Sequence, residues 1–282
     1  MPANTQESAE LRLHAARARR NVLRMLEAHP AGHVGGAMSA IDIVTAIYFY
    51  GFRSINPEAP QRDRFLLSAG HKALAQYAVL AEAGVIPEEV LDTYGELNSH
   101  IPGHPDMHLL RGIEANTGAL GHGLPLACGM ASAQKMSASD ARVFVLMGDG
   151  ELPEGSNWEG AAMAAHRHLD NLVVFVDENG LQISGSTFDV MNMHPIAEKF
   201  RAFGWSAMHI DGNNMDHIVH ALDACPLEPG KPTAIVARTT KGCGIREIAG
   251  TVASHYWKPT KEQLQSALED ADQDIRAMEA IS

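Results

Sequence analysis

Two apolar runs, 143–147 (Val-Phe-Val-Leu-Met) and 172–176 (Leu-Val-Val-Phe-Val), each lead into a polar tip: Gly148-Asp149-Gly150 after the first and Asn179 after the second. The 28 residues between the tips, 151–178, suit a strand, a helical crossover and a parallel neighbouring strand, a connection that needs roughly a dozen residues or more. Segment 156–169 can supply the helix, with Asn157 or Ser156 as its cap and the small residues 160–165 allowing close packing on the sheet. Asp149 and Asn179 then stand together at the carboxyl ends of adjacent strands, where open α/β sheets bind ligands.

The first tip offers a carboxylate between glycines (Gly148, Gly150) that let backbone N–H groups approach an anion, and the second offers a neutral amide oxygen. That combination suits a hard cation carrying a phosphorylated ligand. Mg²⁺ takes few oxygens from protein and the rest from phosphate and water, so Asp149, Asn179 and one backbone carbonyl, that of Leu181, suffice. Taken alone, Gly-Asp-Gly is a tight turn with an acid at a helix start. With an Asn at crossover distance it resembles the thiamine diphosphate-binding motif.

The formal charge of −12 disfavours nucleic acid and anionic membranes as partners, both of which select basic surfaces. An anionic cofactor therefore needs local compensation by metal and backbone dipoles. With 45% hydrophobic and 20% charged residues over 282 positions, the chain can build one large α/β core. No uncharged apolar run reaches the length of a membrane span and the N-terminus lacks the features of a signal peptide, so a cytoplasmic protein is expected. Cys128, Cys225 and Cys243 form no Cys-x-x-Cys pair, which points to reduced thiols.

Periodicity predicts helices over 8–28, 39–49 (capped by Ser39), 73–83, 122–136, 195–203, 215–224 and 260–280, and strands over 65–68, 205–210 and 233–238 besides the two already placed. The alternation implies a single domain over 1–282: an α/β fold with a mainly parallel sheet and helices on both faces. Gly32-His33, Gly70-His71 and Gly103-His104 each set an imidazole beside a glycine, and His255 lies in a late loop. Such histidines can donate to phosphate or relay protons near neutral pH, and together they suggest one shared polar site. Their spacing fits no compact zinc pattern.

Read in order, segments 31–36 (Ala-Gly-His-Val-Gly-Gly), 68–71 (Ser-Ala-Gly-His), 101–105 (Ile-Pro-Gly-His-Pro), 117–121 (Thr-Gly-Ala-Leu-Gly), 148–155 (Gly-Asp-Gly-Glu-Leu-Pro-Glu-Gly) and 177–180 (Asp-Glu-Asn-Gly) resemble the N-terminal section of transketolases, from about residue 11 to about residue 258. The resemblance implies thiamine diphosphate held through Mg²⁺ or Ca²⁺ by Asp149, Asn179 and the Leu181 carbonyl, with His71 and the Gly150 backbone on diphosphate oxygens. It places His33 and His255 near the diphosphate, thiazolium and donor sugar, and His104 against the reacting carbons. It runs Gly118, Ala119 and Leu120 past the aminopyrimidine and packs Ile183 on the cofactor. Gly148 belongs to the same motif, and Glu154 and Glu159 match acids near a subunit interface, although acids also favour helix starts. The chain departs from the family at Ala119, often Pro, at His122, often Gln, and at Cys243, often Lys. The stretch around His255 varies widely in the family.

Transketolases take the carboxylate that activates the pyrimidine from a separate domain, and this chain ends before one begins. The resemblance thus implies one subunit of a split enzyme, in an α₂β₂ assembly with a partner chain that carries the pyrimidine-side Glu. The implied reaction cleaves a phosphorylated or otherwise anionic ketose beside its carbonyl and transfers two carbons to an aldehyde. Other readings keep the cofactor but change the chemistry, to a 2-oxo acid decarboxylating subunit or a deoxyxylulose phosphate synthase, or make the chain a non-catalytic cofactor-binding subunit. The 101–104 segment favours transketolase, but the sugar itself is not legible.

Overall fold

The computed structural model describes residues 5–280. Five strands, β1 (Arg64–Leu67), β2 (Val143–Gly148), β3 (Leu172–Glu178), β6 (Ser206–Asp211) and β7 (Thr233–Arg238), form a sheet in the order β1-β2-β3-β7-β6. All neighbouring pairs are parallel. Strands β2 and β3 are buried from end to end, which is why they read as continuous apolar runs: each lies inside a parallel sheet covered on both faces.

Alternate side chains of each strand enter different cores. Val173 and Phe175 of β3 face α1 (Thr5–Ala28), α2 (Val34–Ala46), α3 (Ala73–Glu82), α8 (Met215–Asp223) and α9 (Lys261–Glu279), whereas Leu172, Val174 and Val176 face α4 (Gly123–Met136), α5 (Gly155–His166) and α7 (Ile196–Ala202). Each large apolar side chain withdrawn from water in this way contributes on the order of 1.5–3 kcal/mol. The apolar stretch Val34–Gly51 is long enough to resemble a membrane span, yet it is almost wholly buried as a core helix with a π turn at its end.

Several local expectations are corrected by packing. The second helix begins at Val34, so Ser39 is inside it rather than capping it, and its hydroxyl donates to Gly36 O and to Asp177. Neither Ser156 nor Asn157 caps α5: Glu154 holds that position without a side-chain bond, while Ser156 donates to Gly121 O and Asn157 to Glu151 O. Gly160 meets α4 rather than the sheet, since a Cβ there would lie 3.3 Å from Pro125 N. Thr260 does cap the last helix, in a reciprocal box with Gln263. A hairpin of β4 (Leu181–Gln182) and β5 (Gly185–Ser186), followed by the short α6 (Thr187–Val190), is too brief for periodicity to reveal.

Register brings the tips together. Gly148 pairs with Asp177 across β2 and β3, so Asp149 and Asn179 leave neighbouring strand ends on the same edge of the sheet.

Candidate functional site

Asp149 opens a 3₁₀ turn at the end of β2 and is almost fully buried. Its Oδ1 accepts the Gly150 N–H at 2.9 Å and its Oδ2 the Gly180 N–H at 2.7 Å, so one carboxylate ties the two tips together. Burial, reinforced by the Asp177 carboxylate, pushes its pKa up to about 6 despite those two N–H donors. Asn179 donates to Asp177 Oδ2 at 3.1 Å and accepts the Leu181 N–H at 3.2 Å.

Asp177 is the hub of this end. It is fully buried and also accepts from Ser39 Oγ at 2.6 Å, from Lys72 Nζ and from Thr239 Oγ1. Burial alone would raise its pKa; the Lys72 ammonium and the bonds from Lys72, Ser39 and Thr239 outweigh it and hold the carboxyl below its usual range. A second ammonium, Lys241 Nζ, donates to Leu181 O at 3.0 Å. Burial and the charge of Lys72 bring Lys241 down to about 8, against the pull of Asp149 and Asp177.

The four histidines converge although they arise from distant segments: His33 at the start of α2, His71 and His255 in 3₁₀ turns, the latter not in the loop expected, and His104 in a loop. The His33 ring lies 5.4 Å from His71, 5.8 Å from His104, 5.3 Å from His255 and 4.7 Å from Tyr256, centroid to centroid. Burial is the main reason that His33 is depressed to about 4, with His104 and Lys241 adding to it. His255 is lowered to about 4 by burial, then by Lys241, His33 and Lys72, and His71 is lowered further still by burial and Lys72. These three imidazoles are therefore neutral at pH 7, each with one nitrogen to donate and one to accept. Nδ1 of His255 is buried without a hydrogen-bond partner among the described residues.

Both groups line one cleft of about 210 Å³, together with Gly118, Leu120, Gly148, Gly150, Leu181, Ile183, Lys241 and Tyr256. An adjoining open cavity of about 740 Å³ shares His33, His104 and Tyr256 with it. Ala119, Glu154 and Glu159 do not line it; Glu154 and Glu159 are exposed on the start of α5. The acid that does reach the cleft is Glu151, whose oxygens accept from Ser68 Oγ and from the Gly121 and Gly148 N–H groups. Sequence reasoning misses Lys72, Asp177, Glu151, Lys241 and Tyr256. Glu151 and Asp177 fall inside the quoted segments 148–155 and 177–180, and the two lysines adjoin His71 and Gly242.

The cleft fits a metal-bound diphosphate. Among the described residues no three His, Cys, Asp or Glu side chains are set to hold a metal by themselves, but one acid, one amide and one carbonyl suit a cation that draws its other oxygens from phosphate and water. Asp149 is buried and its pKa raised despite the nearby Lys72 ammonium, so its ionised form would be favoured by a bound cation. A Cβ at Gly150 would lie 3.0 Å from Gln182, and one at Gly118, whose φ is +150°, 3.0 Å from His104. A side chain at Gly150 would have to displace Gln182, and Gly118 also holds a backbone conformation that other residues rarely adopt. Ile183 adopts φ +41° at the hairpin tip, a left-handed conformation costing a β-branched residue about 1–3 kcal/mol.

Comparison with known proteins identifies the family. Residues 12–269 match the family model described as transketolase, thiamine diphosphate binding domain. The chain is 43% identical over 268 residues to the A subunit of apulose-4-phosphate transketolase from Actinobacillus succinogenes, covering 93% of this chain and 95% of that protein. It is 40% identical over 245 residues to the SqwG subunit of 6-deoxy-6-sulfo-D-fructose transketolase from a Clostridium species, covering 86% and 89%. Among solved structures, transketolase from Campylobacter jejuni superposes with a TM-score of 0.85 at 29% identity, over 98% of this chain and 46% of that one. The chain thus spans about half the length of the solved transketolase and nearly all of the two subunits. Its fold, its cleft and these likenesses together place the chain in the transketolase thiamine diphosphate-binding domain family.

Proposed function

We propose that this chain is the N-terminal subunit of a two-chain transketolase, which moves a two-carbon ketol unit from a ketose to an aldehyde with thiamine diphosphate and Mg²⁺ or Ca²⁺. The observation that carries the reading is the meeting of Asp149 and Asn179 with four histidines in one partly enclosed cleft. The relatives named as single subunits of transketolases, matched nearly end to end, support the division into two chains.

Asp149, Asn179 and the Leu181 carbonyl would hold the metal; a carbonyl has two lone pairs, so Lys241 can share that oxygen. His71 and the Lys241 ammonium would meet diphosphate oxygens, as would the Gly150 N–H on exchanging its bond to Asp149, with Leu120 and Ile183 against the rings. When bound, thiamine diphosphate supplies the nucleophilic carbon and electron sink for cleaving a ketose beside its carbonyl. His33 and His255, kept neutral by burial, can accept a hydroxyl proton on one nitrogen and donate from the other, and His104 adds a third imidazole to the same wall. The carboxylates lining the cleft, Asp149 and Glu151, are both engaged by N–H or hydroxyl donors. On this reading the acid facing the pyrimidine would come from a companion chain, as the relatives named as A subunits suggest, in an α₂β₂ assembly.

The test is reconstitution with the companion chain and a trial of ketose donors against pyruvate. Ketol transfer from a ketose supports the reading, and turnover of pyruvate alone would replace it with a decarboxylating enzyme. Asp149→Ala should lower thiamine diphosphate affinity by at least about 100-fold in the complex. Unchanged affinity in calorimetry would remove the metal assignment.

A further inference from the structure

The segment between Asn179 and His194 carries Leu181, Gln182 and Ile183 into the cleft but buries little of itself: Ile183 and Phe188 are each 60% exposed, and Val190 and Met191 are also exposed. It nevertheless holds Ile183 in a left-handed conformation that its branched side chain disfavours. Such a turn persists only where surrounding contacts over-determine it. Gln182 Nε2 reaches Gly150 O at 3.1 Å and Thr187 N reaches Gly180 O at 3.0 Å, which ties down the first half. The second half is held in another way. The Phe188 ring lies flat on the His194 imidazole, 4.4 Å between centroids and 3° between planes. His194 Nδ1 in turn lies 3.2 Å from Oε1 of Glu178, a buried carboxylate at the end of β3, next to Asn179.

We infer that Glu178, His194 and Phe188 form a brace that pre-sets the 179–194 loop for the cofactor, so that all three are positioning residues for thiamine diphosphate binding. The brace joins the loop's start, end and middle: Glu178 precedes it, His194 closes it, and Phe188 folds back from within it. Glu178 orients the imidazole, the flat imidazole seats the phenyl ring, and the seated ring fixes the hairpin that presents the Leu181 carbonyl and Ile183. None of the three lines the cleft, so their effect is on order rather than on contact. The inference rests on the thiamine diphosphate reading for its ligand, but not for the brace itself.

Hydrogen exchange on the cofactor-free chain separates the two. Phe188→Ala should speed exchange across 180–193 by about tenfold or more and leave the peptides of β2 and β3 unchanged. His194→Ala should do the same, and the double variant should add little, because both remove one brace. In the complex with its companion, Phe188→Ala should raise the apparent thiamine diphosphate Kd about tenfold while kcat at saturating cofactor stays within about twofold, and Phe188→Tyr should restore the Kd and the slow exchange. Unchanged exchange in Phe188→Ala would overturn the brace, and faster exchange with unaltered cofactor affinity would overturn its positioning role. An unmodified complex that binds no thiamine diphosphate would sink the proposed function and the ligand half of this inference, while the exchange result would still decide the brace.

Discussion

The two walls of the cleft solve different problems. The strand-tip wall is charged and interlocked: Asp149, Asp177, Lys72 and Lys241 are buried ions tied to one another or to backbone, and Asn179 is oriented by Asp177. The loop wall is neutral, with His33, His71 and His255 depressed by burial. On the proposed reading the first wall would anchor a charged ligand, which needs fixed charges on rigid elements such as β2 and β3, paired over six residues. The buried imidazoles instead resist charging, so on the proposed reading they would exchange hydrogen bonds with a hydroxyl while staying neutral.

The contrast is most exposed to disproof at Lys72. Lys72→Met leaves the Asp177 carboxylate buried without its cation, so the isolated chain should lose about 3–5 kcal/mol in denaturant unfolding. A loss below about 1 kcal/mol would mean that the strand-tip wall is not held by its ions. On the loop wall, His104→Ala should cost activity rather than fold: kcat of the complex should drop about 100-fold, with the unfolding midpoint and cofactor affinity almost unchanged. A parallel loss of cofactor affinity would erase the distinction between the walls.

A third probe is acid. His255 is held at about 4 in the fold against 6.5 unfolded, so the unfolded chain binds the extra proton between those values. The stability contributed by the neutral ring is present above pH 6.5 and is lost as pH falls towards 4, by up to about 1.4 kcal/mol per pH unit. His255→Gln should flatten the acid limb of a stability–pH curve by that slope. An identical limb in the variant would show that the ring is not desolvated. The smallest effect is expected at Ser39→Ala, which removes one of several donors to Asp177 and should destabilise by about 1 kcal/mol, measured by the same unfolding.

Legibility in the sequence follows the same division. Asp149 and Asn179 stand out because each ends an apolar run, a local pattern that needs no knowledge of the partner strand. The histidines are legible as a set through their glycines, but nothing in their order says that His33 is the centre of the four. Glu154 draws notice as a neighbour of the motif, whereas the cleft uses Glu151, because the 3₁₀ turn after Gly148 aims that side chain back at Ser68 and at the Gly121 and Gly148 amides. Ser39 reads as a cap because Gly35 and Gly36 disguise the helix start.

Sequence by itself determined the α/β alternation, the two buried strands and the acid and amide at their tips, since strand and helix periods are written within a few consecutive residues. It also set the formal charge of −12. The pairing of Lys72 with Asp177 across 105 residues, the hold of Lys241 on Leu181, the neutrality of the histidines and the strained hairpin at Ile183 were decided only by tertiary structure. Each depends on burial or on proximity between distant segments, and the energy of an ion or an imidazole is set by what surrounds it in space rather than by its neighbours along the chain.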